Sequence, residues 1–165
     1  MKRYIHIDSK LLASISDILI KKQLTISIAE SCTGGFLSTL FTSQSGSSTF
    51  FKGSMVTYSN YSKINLLDID SSIINVHGVV SESVVEKMAD EIRKKYKTNY
   101  GLATTGYVEL SNITPHPKNF YLHAWISIAS STTIMSKSVT FNKTRLENIS
   151  TVSYMLLSLL RKEIL

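Results

Sequence analysis

Two polar segments of the chain carry the side chains best suited to chemistry. The first, AESCTGG at 29–35, puts a carboxylate, two hydroxyls and a thiol next to two glycines, and the second is TTG at 104–106. Each segment follows a short run that is typical of a buried strand. Ligands on open α/β sheets bind at the carboxyl ends of strands. The two segments therefore predict one binding site at an edge of a sheet.

Gly34 and Gly35 of the first segment allow two interpretations. At a helix start they would let backbone N–H groups face a bound anion. They would equally allow a tight turn and close packing with no ligand. The segment matches neither the G-x-x-x-x-G-K-[ST] nor the G-x-G-x-x-G phosphate pattern, so the residues alone leave both interpretations open.

A second set of reactive side chains consists of Ser48, Tyr58 and Lys63. A serine is a poor nucleophile until a base removes its proton. A lysine whose pKa is lowered by burial can do so, and a tyrosine can relay the proton or donate a hydrogen bond. Spacing does not show that these groups meet, and such a set also arises by chance in a serine-rich chain.

Cys32 and Arg145 each have a chemical and a structural interpretation. A helix N-terminus would lower the pKa of the Cys32 thiol and make it a nucleophile, whereas a small buried residue is the simpler assignment. Arg145 follows Thr144 at the predicted start of the last helix, where a cation opposes the helix dipole unless an anion binds between them. No cluster of His, Cys, Asp or Glu has metal-ligand spacing, so we predict no metal.

The elements that would position these residues alternate between helices and strands. Helical periodicity, capping residues and β-branched runs predict helices at 9–22, 33–41, 59–67, 81–97 and 144–165, and strands at 25–29, 50–57, 100–104, 121–130 and 133–141. The last helix opens with the capping box Thr144-x-x-Glu147. We expect an α/β fold, a single-domain three-layer α/β/α sandwich with a mixed sheet, over residues 1–165.

Composition narrows the class of protein. The chain has 165 residues, 43% of them hydrophobic, and a net charge of +6. It shows no apolar run of membrane-spanning length and no secretory signal, which favours the cytoplasm. The basic run at 93–97 ends a predicted helix, where cations complement the dipole, which argues against nucleic-acid binding.

Four segments together resemble the CinA C-terminal-domain family. They are AESCTGG, GSSTFFKGSMVTYSNYSKINLL, HGVVSESVVEKMADEIR and LATTG. The likeness runs from about Leu11 to Gly106 and continues more weakly through FNKTRLENIS to the end. Standalone members of this family include nicotinamide-mononucleotide deamidases, so the resemblance implies hydrolysis of that mononucleotide to nicotinate mononucleotide and ammonia, in recycling of pyridine nucleotides.

The resemblance also implies roles for single residues. The family's serine nucleophile matches Ser48, and its tyrosine and lysine match Tyr58 and Lys63. Its substrate-binding positions match Ser31, Thr33, Gly34, Gly35, Thr105, Gly106 and Arg145. The implied partners are a small nucleotide substrate and a second copy of the chain, in a homodimer or higher homo-oligomer. No cofactor and no membrane are implied.

One segment departs from the family's pattern. After Gly106 typical members carry a glycine-rich A-G-P-x-G-G stretch, whereas this chain has YVELSN at 107–112 and PHPKN at 115–119. A loop that needs positive φ or a close backbone approach cannot be built in the same way from these residues. Two functions therefore remain open, an active deamidase and a catalytically silent module that binds a ligand or a partner.

Overall fold

The computed structural model describes residues 8–110 and 116–165. Its strands are β1 (Ile26–Glu30), β2 (Phe51–Val56), β3 (Tyr100–Tyr107), β4 (His123–Ala129) and β5 (Ile134–Thr140). Its α-helices are α1 (Ser9–Lys21), α2 (Phe36–Thr42), α3 (Asn60–Leu67), α4 (Ser71–His77), α5 (Glu82–Tyr96) and α6 (Arg145–Ile164), and a 3-10 helix covers Ser47–Thr49. The N-terminal MKRYIHI and residues 111–115 of the divergent segment lie outside the described residues.

The strands form one mixed sheet in the order β2-β1-β3-β4-β5. β1 lies parallel to both β2 and β3, while β4 pairs antiparallel with β3 and with β5. All five residues of β1 are buried, as expected for a central strand covered on both faces. The carboxyl ends of β2, β1 and β3 therefore lie side by side at one edge of the sheet.

Helices cover both faces of the sheet and give the three-layer arrangement that the sequence predicted. Ile26 and Ile28 pack with α1, α2 and α6 in one apolar cluster. Ala29 and Ala103 belong to a second cluster, with α3, α4 and α5 on the opposite face. Successive residues of a strand point to opposite faces, so each central strand contributes to both cores.

Small residues let α5 approach the sheet closely. A Cβ placed on Gly101 of β3 would lie 2.0 Å from the Ala89 carbonyl oxygen of α5. A larger residue there would force the helix off the strand. Helix α5 in turn contacts α4 and also α3, which carries Lys63 of the candidate site.

The predicted helices and strands are confirmed with small shifts at their ends. Helix α2 begins at Phe36 rather than at Thr33, because Gly34 and Gly35 adopt positive φ (57° and 98°) and form a turn before the helix. The sequence analysis missed α4, a seven-residue helix that Asp70 caps by accepting a hydrogen bond from the Ser72 N–H at 2.8 Å. Such a short helix has too little apolar periodicity to be detected. None of the described helices is both long and apolar enough to span a membrane.

Candidate active site

A cavity of about 260 Å³ opens at the carboxyl ends of β1, β2 and β3. Seven residues that the sequence analysis singled out as candidates line it: Ser31, Cys32, Tyr58, Lys63, Thr105, Gly106 and Arg145. They come from the ends of three strands, from α3 and from the start of α6. The fold thus brings together residues that are more than one hundred positions apart in the sequence.

Ser31 and Lys63 form the innermost pair of the cavity. Lys63, on α3, is only 1% exposed, and its Nζ donates to the Ser31 Oγ at 2.9 Å and to the Thr57 carbonyl at 2.8 Å. Burial disfavours the charged form and lowers the pKa of Lys63 to about 8. An appreciable fraction of this lysine is therefore a neutral amine near neutral pH, beside a serine hydroxyl.

Tyr58 and Arg145 meet at the mouth of the cavity. The Arg145 Nη2 donates to the Tyr58 hydroxyl at 2.6 Å, and the Arg145 Nη1 lies 3.5 Å from a carboxylate oxygen of Glu109. Arg145 is the first residue of α6, as the sequence predicted. The Glu147 carboxylate accepts a hydrogen bond from the Thr144 N–H at 3.1 Å and so fixes the helix start from which Arg145 projects.

Glu30 holds the turn that carries Ser31. This carboxylate is fully buried and accepts hydrogen bonds from the Thr33 hydroxyl at 2.7 Å and from the N–H groups of Gly35, Leu37 and Ser38 at 2.8–3.1 Å. It therefore occupies the N-terminus of α2, as an anion would. Of the two interpretations that the residues left open, this contact favours the tight turn, because the protein's own carboxylate, and not a ligand, accepts from the Gly35 N–H.

Thr33, Gly34 and Gly35 consequently lie outside the lining of the cavity. The Thr33 hydroxyl is hydrogen-bonded to Glu30 and, at 2.9 Å, to the Thr104 hydroxyl. Gly34 supplies a left-handed residue at φ 57°. These three residues form the support of Ser31 and do not reach the cavity in this structure.

Ser48 is not brought together with Tyr58 and Lys63. It is exposed on the 3-10 helix that precedes β2, whereas Tyr58 follows the other end of that strand. A strand of six residues separates the two ends by roughly 20 Å. Within one chain, the predicted set of Ser48, Tyr58 and Lys63 therefore does not assemble, and Ser31 takes the place beside the lysine.

The side chains of Cys32 and Thr105 are engaged in contacts within the protein, by packing for Cys32 and by a hydrogen bond for Thr105. Cys32 is 4% exposed within the apolar core, and burial raises the pKa of its thiol to about 12. A thiol that stays protonated is a poor nucleophile, which favours the packing interpretation. The Thr105 hydroxyl donates to the Val79 carbonyl at 2.9 Å and ties the segment before α5 to the cavity wall.

Sequence reasoning missed Glu109 as a partner of Arg145, since the two residues are separated by 36 positions. It also missed Val79 and Val80, which line the cavity from the connection between α4 and α5. No local signal marks these positions. In the described ranges 8–110 and 116–165, no group of three His, Cys, Asp or Glu side chains is arranged to hold a metal ion.

The fold and the site define a class, an α/β domain that presents a buried serine–lysine pair at the carboxyl edge of a mixed sheet. The family model described as "CinA C-terminal domain" matches residues 8–164, and the chain belongs to that family. The chain is 38% identical to a CinA-like protein of Flavobacterium psychrophilum over 161 residues, which are 96% of this chain and 37% of that protein. It is 39% identical to a putative competence-damage inducible protein of Alkaliphilus oremlandii, over 92% of this chain and 36% of that protein.

The chain thus spans little more than a third of the length of these curated relatives. Solved structures share the fold. A competence damage-inducible protein A of Klebsiella pneumoniae superposes with a TM-score of 0.84 at 24% identity, over 93% of this chain and 94% of that one. A competence or damage-inducible protein of Enterobacter asburiae gives a TM-score of 0.86 at 19% identity, over 99% of this chain and all of that one.

Proposed function

We propose that this protein is a serine amidohydrolase that converts nicotinamide mononucleotide to nicotinate mononucleotide and ammonia. The observation that carries the proposal is the 2.9 Å contact between the Lys63 Nζ and the Ser31 Oγ in a buried cavity. A serine needs an adjacent base to become a nucleophile, and a desolvated lysine amine is such a base. Ser31 replaces Ser48 as the proposed nucleophile, because it is the serine within reach of the lysine.

The chemistry follows from this pair. The neutral Lys63 amine takes the proton of the Ser31 hydroxyl as Oγ attacks the carboxamide carbon. The C–N bond then breaks, the amide nitrogen receives the proton from Lys63, and ammonia leaves an ester on Ser31. Water attacks this ester with Lys63 again as base, which releases the carboxylic acid and restores the serine.

Gly106 supplies a candidate donor for the oxyanion. The Thr104 carbonyl accepts from the Ser31 N–H at 3.1 Å, so this edge of β3 faces β1. The backbone groups of Gly106, two residues on, point to the same side by strand alternation. Because β1 pairs only as far as Glu30 and Gly106 lines the cavity, we infer that the Gly106 N–H faces the cavity beyond the end of β1. A backbone N–H in that place would stabilise the developing negative charge.

Arg145 and Tyr58 would bind the rest of the substrate at the mouth of the cavity. A guanidinium suits a phosphate group, and a tyrosine ring suits a flat pyridinium. We further expect residues 1–165 to act as one unit and to form a homodimer in the cytoplasm. Light scattering during size-exclusion chromatography tests the dimer.

The direct test is ammonia release from nicotinamide mononucleotide by the purified protein. We expect one ammonia for each nicotinate mononucleotide formed. If the mononucleotide binds in a calorimetric titration but no ammonia appears, the chain is a silent ligand-binding member of its family and the proposal fails. The departure of residues 107–110 from the family's glycine-rich pattern is the observation that favours this second function.

A further inference from the structure

We propose that Glu109 is a specificity-determining residue that weakens phosphate binding at Arg145. The site would then accept an unphosphorylated pyridinium carboxamide nucleoside at least as well as the corresponding mononucleotide. This inference rests on the proposed function and extends the substrate class of the same cavity to the nucleoside. It follows from the contacts of Arg145, from the way Glu109 is held and from the charges that face the cavity.

Both terminal nitrogens of Arg145 are already engaged by the protein. Nη1 lies 3.5 Å from the Glu109 carboxylate, and Nη2 donates to the Tyr58 hydroxyl at 2.6 Å. An arginine binds a phosphate most strongly when two of its N–H groups point at it in parallel. A phosphate that uses Nη1 in this way must displace Glu109 or bind beside its negative charge.

Glu109 is held close to Arg145 by the residue that precedes it. Val108 is buried in the core, and its carbonyl accepts from the Asn148 Nδ2 at 2.9 Å. Asn148 is itself fully buried on α6 and also donates to the Lys143 carbonyl at 2.8 Å. The backbone next to Glu109 is therefore tied to the same helix start that carries Arg145, which keeps these two exposed side chains near each other.

The charges around the cavity favour a substrate without a phosphate. Among its described lining residues, the charged groups are Lys63, Glu109 and Arg145. Lys63 is the inner base, and Glu109 neutralises Arg145 at the mouth. A phosphate dianion there would be repelled by Glu109. A pyridinium nucleoside lacks the phosphate and is not repelled by Glu109 in this way.

The experiment compares the wild type with Glu109→Gln, Arg145→Ala and the double variant. Glu163→Gln is the matched control, because Glu163 lies in the last turn of α6 whereas Arg145 begins that helix. Two measurements are made on each protein. One is kcat/KM for ammonia release from nicotinamide mononucleotide and from nicotinamide riboside. The other is calorimetric binding of ribose 5-phosphate, which needs no turnover.

We expect Glu109→Gln to bind ribose 5-phosphate about tenfold more tightly than the wild type, the scale of one like-charge contact near a protein surface. The same variant should gain about tenfold in kcat/KM for the mononucleotide and stay within about twofold for the riboside. Both gains should disappear in the double variant and shrink as salt is added. Glu163→Gln should behave as the wild type.

The inference is overturned if Glu109→Gln leaves ribose 5-phosphate binding within about twofold, or if no variant binds this anion at all. It is also overturned if mononucleotide and riboside gain equally. Should no protein release ammonia from either substrate, the proposed function fails. The ribose 5-phosphate titration still decides in that case whether Glu109 governs anion binding at Arg145.

Discussion

Ser31 and Ser48 lie at opposite ends of the parallel strands, and this difference decides which serine can be activated. The Ser31 Oγ is 2.9 Å from the Lys63 Nζ, and Ser31 lines the cavity. Ser48 is exposed, and its backbone carbonyl, rather than its side chain, accepts from the Lys52 Nζ at 3.1 Å. Among the described residues, no side chain is hydrogen-bonded to the Ser48 hydroxyl, and the neighbouring Lys52 amine is held by backbone carbonyls.

Replacement of either serine by alanine therefore separates the two assignments. We expect Ser31→Ala to lower kcat for ammonia release by at least about a thousandfold, since it removes the attacking oxygen. Ser48→Ala, its matched control, should retain nearly full activity. Both variants should melt within a few degrees of the wild type, because each loses only a hydroxyl. A dead Ser48→Ala beside an active Ser31→Ala would contradict the serine–lysine pair.

The lowered pKa of Lys63 predicts how activity depends on pH. Only the neutral amine can accept the serine proton, so kcat/KM should rise about tenfold per pH unit below pH 8 and level off above it. Initial rates of ammonia release between pH 6 and pH 9.5 test this. Lys63→Met should be inactive at every pH. A wild-type profile that is flat across pH 8 would show that Lys63 is not the base.

The same group links stability to pH. Lys63 has a pKa of about 8 in the folded protein and an ordinary value of 10.5 in the unfolded chain. Between these values the unfolded chain binds more protons, so this lysine makes the folded state more stable as pH rises from 8. The raised pKa of Cys32 has the opposite effect. Above its ordinary pKa of 9.0, this thiol makes the folded state less stable as pH rises. Urea unfolding between pH 8 and pH 9 should therefore show a rise in the wild type that Lys63→Met lacks.

At the scale of elements, the turn between β1 and α2 depends on a single carboxylate. Helix α2 has only seven residues, too few to be stable without tertiary contacts. Glu30 accepts hydrogen bonds from three of the N–H groups at its start and from the hydroxyls of Thr33 and Ser38. The position of Ser31 is therefore fixed by its neighbour in sequence.

Glu30→Gln tests this support while keeping the size of the side chain. The amide nitrogen of glutamine would face N–H donors, so we expect a loss of about 2–3 kcal/mol in the free energy of unfolding, with a reduced kcat. Denaturant unfolding and ammonia release measure the two effects. Glu163→Gln, which removes a carboxylate far from this turn, should change neither. Unchanged stability in Glu30→Gln would mean that the buried carboxylate does not hold the turn.

At the scale of the whole molecule, the net charge of +6 does not gather into a binding surface on α5. Arg93 and Lys94 both pair with Asp90, at 3.0 and 2.6 Å, and Lys95 pairs with Asp68 at 2.5 Å. These pairs neutralise much of the basic run that ends the helix. The sequence assigned this run to the helix dipole, and the ion pairs add a second reason for its charge.

Because the basic residues that end α5 are largely neutralised by ion pairs, we predict weak binding to nucleic acid. We expect a labelled DNA duplex to bind the protein only at low salt and to be released by about 150 mM salt, where unpaired surface charges are largely screened. Fluorescence anisotropy over a salt series measures this. The charge reversal Lys97→Glu, at the end of the basic run, should change this DNA binding little. Tight binding that persists at physiological salt would contradict this expectation.

The sequence by itself determined the layered α/β fold and the family. Periodicity located five of the helices and the five strands of the described residues, because each depends on residues close together in the chain. Side-chain chemistry and the family resemblance identified Ser31, Lys63, Tyr58 and Arg145 as candidate site residues. Periodicity could not locate α4, whose short length leaves no period to detect.

Only the tertiary structure decided which of these residues meet. The parallel order of β2, β1 and β3 brings the ends of three strands to one edge and leaves Ser48 at the other. Register and helix packing are long-range properties, and they placed Lys63 beside Ser31 and Glu109 beside Arg145. Burial, which no local pattern fixes, then set the pKa of Lys63 and Cys32 in opposite directions, because it disfavours the charged form of each.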